Sequence, residues 1–81
     1  MKYHVIVNVY IQYTDYMELH EKFEETYSSY EEAEKEMFQA ISDLSWAGTW
    51  VVAMINGKTF VNREIGEWFD GTIPIKWGIR T

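Results

Sequence analysis

Cysteine is absent from this 81-residue chain, which excludes a disulfide framework and any zinc site built on thiolates. Without cysteine the redox compartment is only weakly indicated, and the cytoplasm is the default expectation. Histidine occurs twice, as His4 and His20, and serine only as Ser28, Ser29, Ser42 and Ser45. Ser28 and Ser29 are accounted for by helix capping, and Ser42 and Ser45 by the solvent side or end of that helix, so a nucleophilic triad has no support. The five glycines are scattered at Gly48, Gly57, Gly66, Gly71 and Gly78, and none belongs to a phosphate-binding loop. No apolar run approaches the roughly 20 residues that span a bilayer. Met1-Lys2-Tyr3-His4 leads at once into an alternating segment, a pattern that reads against a signal peptide. The single proline, Pro74, lacks an amide donor and favours an edge strand.

Basic residues are scarce as well, seven against thirteen acids, for a formal charge of −6. Direct nucleic-acid binding would need a cationic groove, and Lys2, Lys58, Arg63, Lys76 and Arg80 are too scattered to make one. Anionic membrane surfaces are disfavoured on the same ground. What the chain does have is aromatic mass. Fourteen aromatic side chains, Trp46, Trp50, Trp68 and Trp77 among them, offset the small fraction of surface, about 60–65%, that a chain this short can bury. One compact domain over residues 1–81 is expected, with no internal repeat, low-complexity tract or linker.

Lys2 to Thr14 give the clearest pattern. Tyr3, Val5, Val7, Val9, Ile11 and Tyr13 alternate with Lys2, His4, Asn8, Gln12 and Thr14, the signature of a strand, while Ile6 and Tyr10 place an apolar spot on the second face. Asp15 and Tyr16 begin a turn. Met17 to Tyr27 fits two descriptions. As a strand it sets Leu19, Glu21, Phe23, Glu25 and Tyr27 on one face and completes a hairpin; as a helix it aligns Tyr16, Leu19, His20, Phe23 and Tyr27, with Asp15 as cap. The strand is preferred, since it gives the first strand a neighbour.

Ser28-x-x-Glu31 and Ser29-x-x-Glu32 both fit a capping box, so a helix is expected from about Tyr30 to Ser45. Its apolar stripe is Ala33, Met37, Ala40, Ile41 and Leu44, widened by Phe38, and Gly48 ends the element. Thr49 to Ile55 reads as a buried strand, and Asn56-Gly57 as a type I′ turn into a short strand over Lys58 to Asn62. A helical turn is expected from Arg63 to Asp70, then a last strand carrying Ile73, Ile75, Trp77 and Ile79. The fold class that results is α+β, in the order ββαβββ, with one amphipathic helix on one face of a mainly antiparallel sheet.

The acidic residues are concentrated. Asp15, Glu18, Glu21, Glu24, Glu25, Glu31, Glu32, Glu34 and Glu36 face only Lys22 and Lys35 in the same stretch, leaving the rest of the chain nearly neutral. Their spacing matches no EF-hand or zinc pattern, and neither a metal site nor a cofactor is expected. Glu31, Glu32 and Glu34 are explained in part by the positive end of the helix dipole. Asp15 to Glu25 have no such explanation. Combined with Tyr16, the aromatic best placed for exposure, these carboxylates suit a contact with a basic partner.

The expectation is therefore a small non-enzymatic binding protein whose contact residues are Asp15, Tyr16, Glu18, Glu21, Glu24, Glu25, Glu31, Glu32 and Glu34. Carboxylates spaced roughly 5–7 Å apart could imitate phosphates, so the partner would be the basic site of a nucleic-acid-binding protein. An inhibitor of that kind, viral or mobile-element in origin and acting in the host cytoplasm, would suit this size and composition. The alternative is a structural or assembly domain that self-associates through the edge near Ile73 to Ile79 or through the Ile6 and Tyr10 spot.

Overall fold

The computed structural model describes residues 1–66, which form two long strands, a helix and a second hairpin. Strand β1 covers Tyr3–Gln12, β2 Met17–Tyr27, α1 Tyr30–Leu44, β3 Trp50–Ile55 and β4 Lys58–Glu64. The α+β class is as expected: an antiparallel sheet in the order β2-β1-β3-β4, with the helix on one face. The first strand of the chain is thus an inner strand, hydrogen-bonded on both sides.

Alternation in β1 explains the core. Val5, Val7 and Val9 point toward the helix and are fully buried, and register places them opposite Ile55, Ala53 and Val51 of β3. Val61 of β4 and Ile65 just after it extend this layer. From α1 the buried partners are Ala33, Met37, Phe38, Ala40 and Ile41, residues that recur at the helical spacing and so share one face. Each large apolar side chain buried here contributes on the order of 1.5–3 kcal/mol relative to exposure.

Local chemistry sets the element ends. Ser29 caps the helix, its Oγ accepting from the Glu32 amide at 3.2 Å. At the other end the Ser45 hydroxyl and amide both donate to the Ile41 carbonyl. The loop that follows is tied down by Thr49, a buried residue whose hydroxyl donates to the Trp46 carbonyl at 2.7 Å, and by Gln12, whose side-chain amide donates to the Gly48 carbonyl at 2.9 Å. Asn56 and Gly57 have φ of 52° and 82°, the left-handed pair that the type I′ turn requires. The Asn56 amide donates to the His4 carbonyl and its Oδ1 accepts from the His4 amide, both at 2.8 Å, so the turn also clasps the start of β1.

Met17 to Tyr27 is a strand, paired with β1 along its length, and the helical alternative falls. Two details of the sequence reading are corrected. A bulge between Val9 and Tyr10 shifts the β1–β2 register: Glu21 pairs with Val9, but Leu19 pairs with Tyr10. Leu19 therefore lies on the opposite face from Glu21, Phe23, Glu25 and Tyr27, because a bulge inserts one residue into the alternation. Arg63 and Glu64 belong to β4, opposite Val51 and Trp50, rather than to a helical turn, since pairing with β3 outweighs the local pattern. Ile65 and Gly66 follow β4 without helical structure, and the remainder of that turn, with the strand expected over Ile73 to Ile79, lies outside the described residues.

The face of the sheet away from α1 carries Ile6, Asn8 and Tyr10 of β1, with Trp50, Val52 and Met54 of β3 beside them in register. All six are half-buried, and among the described residues no helix or strand lies over them.

Candidate functional site

Strand β2 is an edge strand among the described residues, with β1 on one side only. Its burial is correspondingly slight: Phe23 and Tyr27 are partly covered and every other residue is exposed. The edge is built this way because Phe23 and Tyr27 are the only large apolar side chains on the helix-facing side of the strand beyond the bulge. They pack against the core and fix the strand, and the carboxylates between them are left in solvent.

The expected contact residues separate into three groups. Asp15 and Tyr16 sit in the β1–β2 turn, where the Tyr16 ring, 61% exposed, stacks on Tyr13 with centroids 4.9 Å apart. Tyr13 lies close to Glu18, whose negative charge is the main cause pushing the phenol above its ordinary pKa. At the opposite end, Glu31 and Glu32 occupy the first turn of α1. An extended strand rises about 3.3 Å per residue, so the turn and the helix start are on the order of 35 Å apart. They do not form one contact area.

Between these ends, the β2 carboxylates divide by face. Glu24 points to the open side and is already engaged: His4 Nε2 lies 2.5 Å from its Oε2, and Lys22 Nζ lies 3.5 Å from its Oε1. The bond to His4, reinforced by Lys22, holds the Glu24 carboxyl below the usual range. Glu21 and Glu25 point to the helix side, and among the described residues neither makes an ion pair. Tyr27 lies in the field of Glu25, Glu32 and Glu36. Partial burial first, then the charges of Glu36, Glu25 and Glu32 in that order, raise the Tyr27 phenol above its ordinary pKa. Glu34 lies on a different side, toward Tyr30, whose own phenol is raised by burial and then by Glu34. That ring meets Tyr3 edge-on at 5.7 Å and Phe60 at 6.4 Å.

Two acidic residues of α1 that the sequence did not single out as contacts also lie on this side. Glu36 and Asp43, with Gln39, rim a cleft of about 130 Å³ between α1 and β2, whose floor is Phe23, Ala40 and Leu44. Glu36 and Asp43 are seven apart on the helix and so share a side of it, a spacing that would have grouped them. That Phe23 completes the cleft depends on tertiary packing. Asp43 is oriented by the Gln39 side-chain amide, which donates to it at 2.9 Å.

Elsewhere, a broader depression of about 510 Å³ runs along β4, lined by Thr59, Phe60, Asn62, Arg63 and Glu64. Its charges are of both signs and select no one occupant. His20 meets the Trp46 ring edge-on at 5.2 Å, so the two histidines are spent on separate local contacts. Among the described residues no group of three or more histidine, aspartate or glutamate side chains could hold a metal ion, and no helix is long and apolar enough to cross a membrane.

No protein-family model, curated protein or solved structure matches this chain.

Proposed function

We propose that this protein is a non-enzymatic binding domain that docks the acidic edge of its sheet against a basic surface of another protein. The observation that carries this reading is the state of β2. Among the described residues it is an edge strand whose helix-side carboxylates, Glu21 and Glu25, have no cationic partner, and α1 adds Glu32, Glu36 and Asp43 on the same side. Packing of the finished fold gives no reason to gather like charges there, since their mutual repulsion opposes it. A basic partner relieves that repulsion and is steered in by the same field.

The basic site of a nucleic-acid-binding protein is one surface of this kind, and occupying it would inhibit the owner. Glu21 and Glu25 are about 13 Å apart along the strand, with Phe23 between them, so the match rests on charge and an apolar centre rather than on a phosphate-like repeat. The test is binding of a capped deca-arginine peptide to the wild-type protein and to the Glu21→Lys, Glu25→Lys double variant at two salt concentrations. Tenfold or greater weakening by the substitutions, and by raising salt from 50 to 500 mM, is expected on the order-of-magnitude screening of exposed charges. Equal binding by both proteins refutes the reading.

A second reading, self-association, is favoured by the open sheet face. Ile6, Tyr10, Trp50, Val52 and Met54 lie together there, and Trp50 is held in place by its indole N–H donating to Asn62 Oδ1 at 2.7 Å. Sedimentation velocity at low and high salt separates the two, because apolar association survives salt and edge-charge binding does not.

A further inference from the structure

The cleft beside β2 and the free edge of that strand are one site, and together they specify the sequence pattern of what binds. Three observations define it. First, β2 has no second neighbour among the described residues, so half of its backbone N–H and C=O groups face outward, the template to which an extended segment can add as a further strand. Second, on the helix side the strand presents Glu21, Phe23 and Glu25 in succession, with Glu21 and Glu25 exposed and Phe23 half-covered. Third, Phe23 also forms, with Ala40 and Leu44, the floor of the 130 Å³ cleft that Glu36 and Asp43 rim.

Residues directly opposite one another in neighbouring strands share a face and lie close enough to pair. A strand added to β2 therefore sets three alternate side chains against Glu21, Phe23 and Glu25. Charge complementarity requires the outer two to be cationic. The middle one abuts Phe23 and is aimed over the cleft, where an apolar side chain buries its surface against Phe23, Ala40 and Leu44.

We infer that this protein captures an extended segment of a partner with the pattern basic-x-apolar-x-basic, adding it to the β2 edge with the apolar residue in the Phe23–Leu44 cleft. This rests on the acidic-edge reading above and names its mode. The pattern is the same in both chain directions, so parallel and antiparallel addition demand the same residues. It also disfavours a second copy of this chain paired edge to edge through β2, because Glu21 and Glu25 would then meet a strand that is itself acidic.

The experiment uses three capped seven-residue peptides with the protein as it stands. One carries the sequence Thr-Arg-Thr-Leu-Thr-Arg-Thr. The second has the same composition with the two arginines adjacent and the leucine at the end. The third keeps the first sequence but has N-methyl groups on alternate backbone amides. Binding is followed by amide chemical shifts and hydrogen exchange, at low salt. The patterned peptide is expected to bind at least tenfold more tightly than the other two and to slow exchange of β2 amides that point away from β1. The Glu21→Lys, Glu25→Lys variant, altered only at exposed positions, should lose it. If the scrambled or N-methylated peptide binds as tightly as the first, strand addition is wrong and the acidic-edge reading survives. Should none of the three bind the wild-type protein, or should all bind the double variant equally well, both are wrong.

Discussion

Asn8 offers the sharpest test of how the open sheet face is built. It sits in the middle of β1, opposite Lys22 on one side and Val52 on the other, with Ile6 and Tyr10 flanking it along the strand. Its Oδ1 is buried with no hydrogen-bond partner, the one such side-chain atom among the described residues. A buried acceptor left unpaired costs about 1–3 kcal/mol, whereas replacing it by an apolar group of the same shape removes that cost. Asn8→Leu is such a replacement. Because the residue as a whole is only half-buried, the lower part of the range applies, about 1–1.5 kcal/mol of added stability. For a chain of this size each kcal/mol moves the midpoint by about 4–8 °C, so Tm should rise by roughly 4–12 °C. Asn8→Asp leaves the oxygen in place and adds a charge, and should destabilise by about 2 kcal/mol or more. Urea denaturation followed by tryptophan fluorescence measures both, with the midpoint moving and the slope unchanged if only native-state energy differs. If Asn8→Leu lowers stability by 1 kcal/mol or more, the oxygen is satisfied in solution and the reasoning fails.

Other consequences follow from single contacts. Ser29→Ala removes the acceptor for the Glu32 amide and should cost about 1 kcal/mol, with Ser29→Asp restoring it, as read by thermal unfolding. Gly57→Val puts a β-branched residue at φ 82°; the space is open, so the cost is conformational, about 1–2 kcal/mol by urea denaturation, and Gly57→Asn should lose less. The Tyr27 phenol should titrate above an ordinary tyrosine, and Glu36→Gln should bring it down, visible in ultraviolet pH titration. Its sign is fixed: a folded-state pKa above the unfolded one, about 10, means the neutral phenol is favoured by the fold. That stability is present below pH 10 and declines as pH rises from the unfolded toward the folded value. A Tyr27→Phe variant should therefore be less sensitive to alkali than the wild type; equal sensitivity would count against a raised Tyr27 pKa in the folded state.

What could be read from the sequence was whatever is encoded locally. The valine alternation of β1, the serine cap of α1 with its stripe through Met37 and Ile41, and the Asn56-Gly57 turn are each decided by neighbours within a few positions, and each is as expected. Met17 to Tyr27 was ambiguous because Leu19, Phe23 and Tyr27 satisfy a helical period, and the choice is made by hydrogen bonds to β1. The bulge at Val9 and Tyr10 leaves no mark in composition, and so Leu19 was placed on the wrong face. β4 runs on through Arg63 and Glu64 for the same kind of reason: their partners Val51 and Trp50 are in another strand. As for the site, the acidic tract was visible as a tract. Its division into a turn, a two-faced edge and a helix start was not, and Glu36 and Asp43 gain their meaning only from Phe23 across the cleft.

The strand order has a consequence for how the protein is made. β1 is synthesised first, yet its second neighbour, β3, begins at Trp50. For the time needed to make the intervening residues, a few seconds at about 5–20 residues per second, the β1–β2 hairpin can form while the Val5–Val9 edge waits without a partner. An apolar valine-rich edge in that state is the segment most prone to pair with other nascent chains. Charge on β2, the neighbour of β1 that is made next, opposes pairing between such hairpins during that interval. Glu18, Glu21, Glu24 and Glu25 are thus charges of the gatekeeper kind, exposed on the strand that pairs with the valine-rich β1.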